Sequence, residues 1–395
     1  MNPFFSQLAQ FIKPLRGTAM TSASRAQMRL DRLGLSEFDP GPDVLVREGV
    51  AWLCRAQDNS ASHDGGVARD YSLEKGWATS YPETTGYIVP TMLEYARCYS
   101  DTDARDRAVR MLDWLVRIQL PCGGFQGGRI DSTPIVPVTF NTGQILIGLA
   151  AGVAEFGDRY RTPMEAAAVW LMETLDSDGC WRSYPTPFAA PGEKAYETHV
   201  AWGLFEAERM APGRGFGDAG LRNVRWALSK QRDNGWFADN CLSDPNNPLT
   251  HTIGYVLRGI LEAHRLTGAE LYLEAGCRTA DALLSTVGSD GYLPGRLDGR
   301  WNPAVDFVCL TGSVQIAHCL LMLYRITGRD TYRDKARLLN SYVRRTVNVS
   351  GALESRGAIK GSFPIDGDYG RFEYLNWATK FAIDASMLEL ELLGG

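Results

Sequence analysis

Glu83-Thr84-Thr85-Gly86-Tyr87 has five echoes downstream: Asn141-Thr142-Gly143-Gln144, Glu197-Thr198-His199, His251-Thr252-Ile253-Gly254-Tyr255, Leu310-Thr311-Gly312-Ser313 and Asn376-Trp377-Ala378-Thr379. Successive copies stand 57, 56, 55, 58 and about 67 residues apart. Each word opens an apolar helix that follows an amphipathic helix across a turn rich in Gly and aromatics. A helical pair of this size cannot bury its apolar face alone, so the copies must pack side by side. Six copies predict an all-α (α/α)6 toroid, a closed ring of helical hairpins whose inner helices line a central cavity. The Gly/aromatic-rich loops would gather at one end.

Outward from these words, the amphipathic partners read as Val44 to Gln57, Ala104 to Gln119, Pro163 to Asp176, Ala219 to Gln231, Leu271 to Val287 and Thr331 to Thr346. Each places apolar residues at i, i+3, i+4 and i+7. The turns that follow are Asp64-Gly65-Gly66, Gly123-Gly124-Phe125, Asp178-Gly179-Cys180-Trp181, Asn234-Gly235-Trp236, Asp290-Gly291-Tyr292 and Gly361-Ser362-Phe363. Asp-Gly and Asn-Gly supply the positive φ of a tight reversal. No segment alternates with period two, so strands are expected to be short and confined to these loops.

The words Gln231 to Trp236 (Gln-x-x-x-Gly-Trp) and Gln119 to Phe125 (Gln-x-x-x-Gly-Gly-Phe) resemble the repeats of terpenoid cyclases and protein prenyltransferase β subunits. Over roughly residues 40–392 the pattern also resembles the six-hairpin toroids of carbohydrate-active enzymes: glycoside hydrolases, polysaccharide lyases and sugar epimerases. The resemblance implies the architecture and leaves the reaction open. Terpenoid cyclisation would call for an Asp-x-Asp-Asp run, which the chain lacks; Asp176-Ser177-Asp178 and Asp366-Gly367-Asp368 come nearest. The zinc site of a prenyltransferase would need Asp306, Cys309 and His318 to converge, yet Cys309 and His318 fall on different helical faces.

Composition narrows the alternatives. The chain has 395 residues, 45% hydrophobic and 22% charged, with a net charge of −5 that gives no footing for nucleic acid. Its eight cysteines are dispersed without a Cys-x-x-Cys pair, which suits reduced thiols and a cytoplasmic address. No nucleotide-binding Gly motif is present, and neither metal nor cofactor is expected. Residues 1–38 read as a loosely ordered leader, whose true start could be Met20, ahead of a single toroid domain over 39–395. Lys13, Arg16, Arg25, Arg29 and Arg32 make the leader basic, and a peripheral contact with a membrane or a glycan-assembly partner is one expectation from it.

Sugar chemistry asks for proton-transfer groups about a ring's width apart, aromatic faces and donors for hydroxyls or a carboxylate. Candidates for catalysis are Glu83, His199, His251, Asp306 and Tyr374. Candidates for substrate binding are Tyr81, Tyr87, Trp181, Tyr196, Glu197, Trp236, Trp301, Arg371, Glu373, Asn376 and Trp377. In a hydrolytic scheme Glu83 and Asp306 serve as acid and base. In a lyase or epimerase scheme, slightly preferred, His251 or Tyr374 takes the proton beside a carboxylate held by Arg371, and His199 or Tyr81 delivers it. Against these stand plainer roles: Glu83 and Glu197 as helix-start carboxylates, Arg371 paired with Glu373 or Asp368, and the aromatics as hairpin packing. His264 and His318 read as structural. The expected partner is a saccharide, a uronic-acid-containing glycan or oligosaccharide; the alternative from another class is a non-catalytic toroid that binds a glycan or an isoprenoid within a glycan-assembly system.

Overall fold

The computed structural model describes residues 20–187, 189 and 192–393. A short leading helix, α1 (Ser22–Asp31), precedes two concentric sets of six. The outer set is α2 (Pro42–Asp58), α4 (Thr102–Ile118), α6 (Arg161–Glu173), α8 (Phe216–Leu228), α10 (Glu270–Leu284) and α12 (Asp330–Arg344). The inner set is α3 (Pro82–Tyr99), α5 (Thr139–Phe156), α7 (Thr198–Met210), α9 (Thr250–Thr267), α11 (Leu310–Thr327) and α13 (Asn376–Leu393). Each inner helix packs on the next, and α13 returns to α3, so the ring is closed. The inner helices are apolar nearly all round because they are covered on every side.

The hairpins pair differently from the order in which the sequence words suggest. Each outer helix packs chiefly on the inner helix that precedes it, through short turns such as Gly268-Ala269 and Gly328-Arg329. The sixth pair joins the two ends of the domain: α2 packs on α13. Trp52 Nε1 donates to the Glu354 carbonyl at 2.7 Å and Arg356 pairs with Glu48 across this seam.

The recurring words now have physical explanations. Gln57, Gln119 and Gln231 each donate to a backbone carbonyl of the next outer helix, those of Arg107, Pro163 and Ala275. The turn glycine beside each presses on that same helix. At Gly123, with φ +92°, a Cβ would lie 2.5 Å from the Ala166 carbonyl oxygen. The sixth copy of this contact belongs to Gly357, not to the Gly361 expected from sequence: its φ is +80°, and a Cβ would stand 2.1 Å from the Glu48 oxygen. The threonines fasten loop to helix. Thr85, Thr142 and Thr379 donate to carbonyls one turn back and accept the amides of Val67, Phe125 and Ile359.

The strands are two or three residues long and lie on the loop face. β1 (Asp70–Ser72) pairs antiparallel with β2 (Gly76–Trp77) and with β5 (Glu373–Leu375), while β3 (Val308–Cys309) pairs with β4 (Ser362–Phe363). The loose leader expected over 1–38 lies outside the described residues for 1–19. From Met20 onward, α1 is instead docked on the loop face. Thr21 caps it, and Asp31 and Lys360 form a buried pair at 2.6 Å, 2% and 3% exposed. Among the described residues, no helix is long and apolar enough to cross a membrane.

Candidate functional site

The first turns of the inner helices point toward the axis at the loop-bearing end. There they bring together Glu83 and Tyr87 of α3, Phe140, Asn141 and Gln144 of α5, His199 of α7, His251 and Tyr255 of α9, Gln315 of α11, and Trp377 and Phe381 of α13. Tyr196 joins from the turn just before α7. Most neighbours in these turns are wholly buried, but Glu83, Phe140 and Trp377 keep 8–9% exposure and His251 and Gln315 keep 5%. Those slivers mark a narrow recess on the axis.

Glu83 is the acidic member. It follows Pro82 in the first turn of α3, a helix whose N-cap residue, Tyr81, makes no side-chain capping bond. Burial pushes its carboxyl up to about 7, opposed by the Tyr81 hydroxyl and the Arg69 guanidinium. It lies close enough to Tyr81, Tyr87, Tyr196 and Tyr255 to oppose the ionisation of each. A carboxyl that titrates near neutrality among phenols can hold or release a proton at working pH.

The two histidines are the basic members. His251 Nδ1 donates to Gln315 Oε1 at 2.8 Å, and His199 Nδ1 donates to Gln144 Oε1 at 2.6 Å. An amide oxygen only accepts, so each ring carries its proton on Nδ1 and presents a lone pair at Nε2. Burial lowers His251 to about 4 and holds His199 well below its ordinary range, so both rings are neutral at pH 7. Tyr255 separates them, with ring centroids 4.3 Å from His251 and 4.4 Å from His199. Several buried polar atoms here lack a partner among the described residues: Tyr87 Oη, Asn141 Nδ2, Gln144 Nε2 and Thr311 Oγ1. Buried groups of this kind are seldom left unpaired without a ligand or water to meet them.

The mouth is built by loops. Arg69 bridges Asp70 and Glu373 and sits 5.0 Å from the Trp377 ring, which also borders Tyr81 at 6.2 Å. Tyr369 reaches in from the segment between β4 and β5, accepts from Trp377 Nε1 at 2.9 Å and lies 5.5 Å from the His251 ring. Below the tyrosines, Lys380 is held by Asp384 at 2.6 Å and lies over Tyr87 and Phe381.

Other residues expected at the site lie elsewhere. Asp306 is exposed on the loop before β3 and does not join Glu83. Tyr374 is buried but faces the leading helix, donating to Gln27 Oε1 at 3.2 Å, because alternation along β5 sends it opposite to Glu373. Arg371 is exposed over Phe372 and contacts neither Glu373 nor Asp368 by an ion pair among the described residues. Glu373 serves Arg69. Asn376 is a buried tie to Ala68 and Thr84, and Trp181 a buried tie to Leu171. Glu197 is buried beside Lys194 and Cys180, where desolvation raises it to about 8. Trp236 and Trp301 belong to the rim.

Arg69, Asn141, Gln144, Tyr255, Gln315 and Tyr369 were not among the expected site residues. Tyr255 and the two glutamines carry a readable signal, since each lies three or four residues beyond an axial position. Arg69 and Tyr369 arrive on loops and carry none.

Comparison with known proteins agrees on the fold. The model of the squalene-hopene cyclase C-terminal domain family matches residues 80–261, the stretch containing both Gln-x-x-x-Gly words. No curated protein matches the chain by sequence. Among solved structures, an unsaturated glucuronyl hydrolase specific for heparin superposes with a TM-score of 0.71 at 16% identity, covering 90% of this chain and 99% of that one. The unsaturated glucuronyl hydrolase from Bacillus sp. GL1, responsible for degradation of glycosaminoglycan, gives 0.69 at 15%, covering 89% and 97%. A D-mannose isomerase gives 0.70 at 12%, covering 89% and 97%. At such identities the likeness is one of architecture, and the chain has the (α/α)6 toroid fold that these proteins share.

Proposed function

We propose that this protein is a carbohydrate-processing enzyme that works by general acid–base chemistry on a saccharide bound at the axial recess. The observation that carries this reading is the buried Glu83, titrating near 7 among tyrosines and sharing the axial end of the ring with two neutral histidines whose Nδ1 atoms are each held by a glutamine. Glu83 donates the proton, His251 takes one, and the tyrosines and Asn141 meet sugar hydroxyls. The arrangement suits proton removal and return at a sugar carbon, as in epimerisation, isomerisation or elimination.

A second reading, glycoside hydrolysis, is favoured by the likeness to the unsaturated glucuronyl hydrolases. It uses Glu83 as the acid and requires a base other than Asp306 to activate water. Incubation with uronic-acid oligosaccharides and with free aldoses in D₂O separates the two. Deuterium incorporated at a sugar carbon, or new ultraviolet absorbance from a C=C bond, supports the first, and new reducing ends support the second. Glu83→Gln is expected to lower either activity by about 10²- to 10⁴-fold. Binding without turnover of any of these sugars overturns the catalytic reading.

A further inference from the structure

We propose that a second cleft on the loop face, outside the axial recess, is an accessory subsite for an acidic sugar unit, carboxylated or sulfated, of a glycan whose neighbouring unit occupies the axis. This rests on the saccharide reading above. The cleft lies between the turn after α8 and the loop after α10, has a volume of about 320 Å³, and is lined by Arg232, Trp236, Asn246, Asn247, Gly299 and Arg300 together with Asp298. That volume is at the small end of ligand sites and suits a single ring.

Its chemistry is that of an anion and sugar receptor. Trp236 is 4% exposed, and its buried Nε1 has no acceptor among the described residues. Arg232 is stacked on the indole at 4.5 Å. Neither Arg232 nor Arg300 has an ion-pair partner among the described residues, although most arginines of this chain are paired. The one carboxylate present is committed elsewhere: Asp298 accepts the amides of Arg300 and Asn302 and the Asn302 side chain. Two guanidinium groups without ion-pair partners among the described residues, one of them stacked on an indole, border one concavity and match a carboxylate or sulfate ester, since guanidinium binds such groups bidentately. Gly299 keeps the space open, for a Cβ there would lie 3.1 Å from Arg232 Nη1 and 3.8 Å from Trp236 Cε2.

Position ties the cleft to the axis. Asn247 receives Arg296 Nη1 at 2.8 Å on its carbonyl, and Leu249, bridged to Arg296, is the residue before α9. His251 stands in the first turn of that helix, two residues beyond Leu249, so the cleft and the axial histidines are joined by one short segment of chain.

The test is calorimetric titration of the full chain with a sulfated uronic-acid hexasaccharide and with its desulfated, carboxyl-reduced counterpart, at two salt concentrations. Wild type is expected to prefer the charged probe, more strongly at low salt. Arg300→Ala and the cleft-filling Gly299→Val are expected to weaken that binding about tenfold or more while leaving affinity for the neutral probe, turnover of short substrates and thermal melting unchanged. Unchanged affinity for the charged probe in both variants overturns the subsite and leaves the axial reading intact. Failure of wild type to bind either hexasaccharide overturns both.

Discussion

Gln315 fixes which nitrogen of His251 bears the proton: its Oε1 accepts from Nδ1 at 2.8 Å, leaving Nε2 unprotonated. His199 and Gln144 repeat the relation one helix pair away, on α7 and α5. A base aimed in this way depends on its partner for tautomer as well as for position.

The first prediction follows from that pair. With His251 lowered to about 4 and Glu83 raised to about 7, activity requires neutral His251 and protonated Glu83, so kcat/KM should rise through about 4 and fall above about 7. Gln315→Glu places an anion against Nδ1, stabilises the imidazolium, and should move the acidic limb upward by about one unit while leaving the alkaline limb in place. The pH profile of kcat/KM for the two proteins checks it.

Glu197 gives a stability prediction of opposite sense to that of an ordinary salt-bridged carboxylate. Its folded-state value of about 8 exceeds the ordinary 4.5, so the folded chain holds a proton that the unfolded chain has lost. Stability from this group is complete below about 4.5 and is lost as pH rises toward 8. Glu197→Gln should therefore stabilise the fold by on the order of 2 kcal/mol at pH 8 and by little at pH 4, read as a rise in Tm of a few degrees only at the higher pH.

Gly357→Ala tests ring closure. The substitution forces a side chain into a φ of +80° and against the Glu48 carbonyl, 2.1 Å away. The expected cost is about 2–4 kcal/mol, measured by denaturant unfolding. Gly76→Ala, at a φ of +78° but with open space around its Cβ, should cost only the backbone strain, about 1 kcal/mol.

The leading helix should be releasable. Asp31→Ala strands the buried Lys360 ammonium and removes the acceptor of the Ile365 amide. Amide exchange over residues 22–31 should then accelerate strongly, with a local cost of about 3 kcal/mol.

How much of this was readable depended on which element carried each residue. Periodic words reveal inner helices, and a residue in the first turn of an inner helix faces the axis once the ring closes. Glu83, Tyr87, His199 and His251 were accessible on that basis, and the same rule applied one turn further on reaches Tyr255, Gln144 and Gln315. Loop residues obey no such rule. The direction of Tyr374 was decided by its pairing with Tyr71 across β1 and β5, a contact between opposite ends of the chain. Asp306 preceded a strand of two residues and stayed exposed, while Arg69 was drawn in by Glu373, a partner that no local spacing announces. The offset of the hairpins was hidden for the same reason: an outer helix has an inner helix on either side in sequence, and only packing decides between them.

The seam between α2 and α13 has a consequence for how the protein comes into being. One half of the sixth hairpin is made before the other five pairs and its partner after them, so the first outer helix waits for that partner while the rest of the ring is synthesised. Arg69 and Tyr81 emerge early, Tyr369 and Trp377 late, and a nascent chain on the ribosome has no finished chamber to act with. A closed chamber is thereby reserved for molecules whose translation has run through α13.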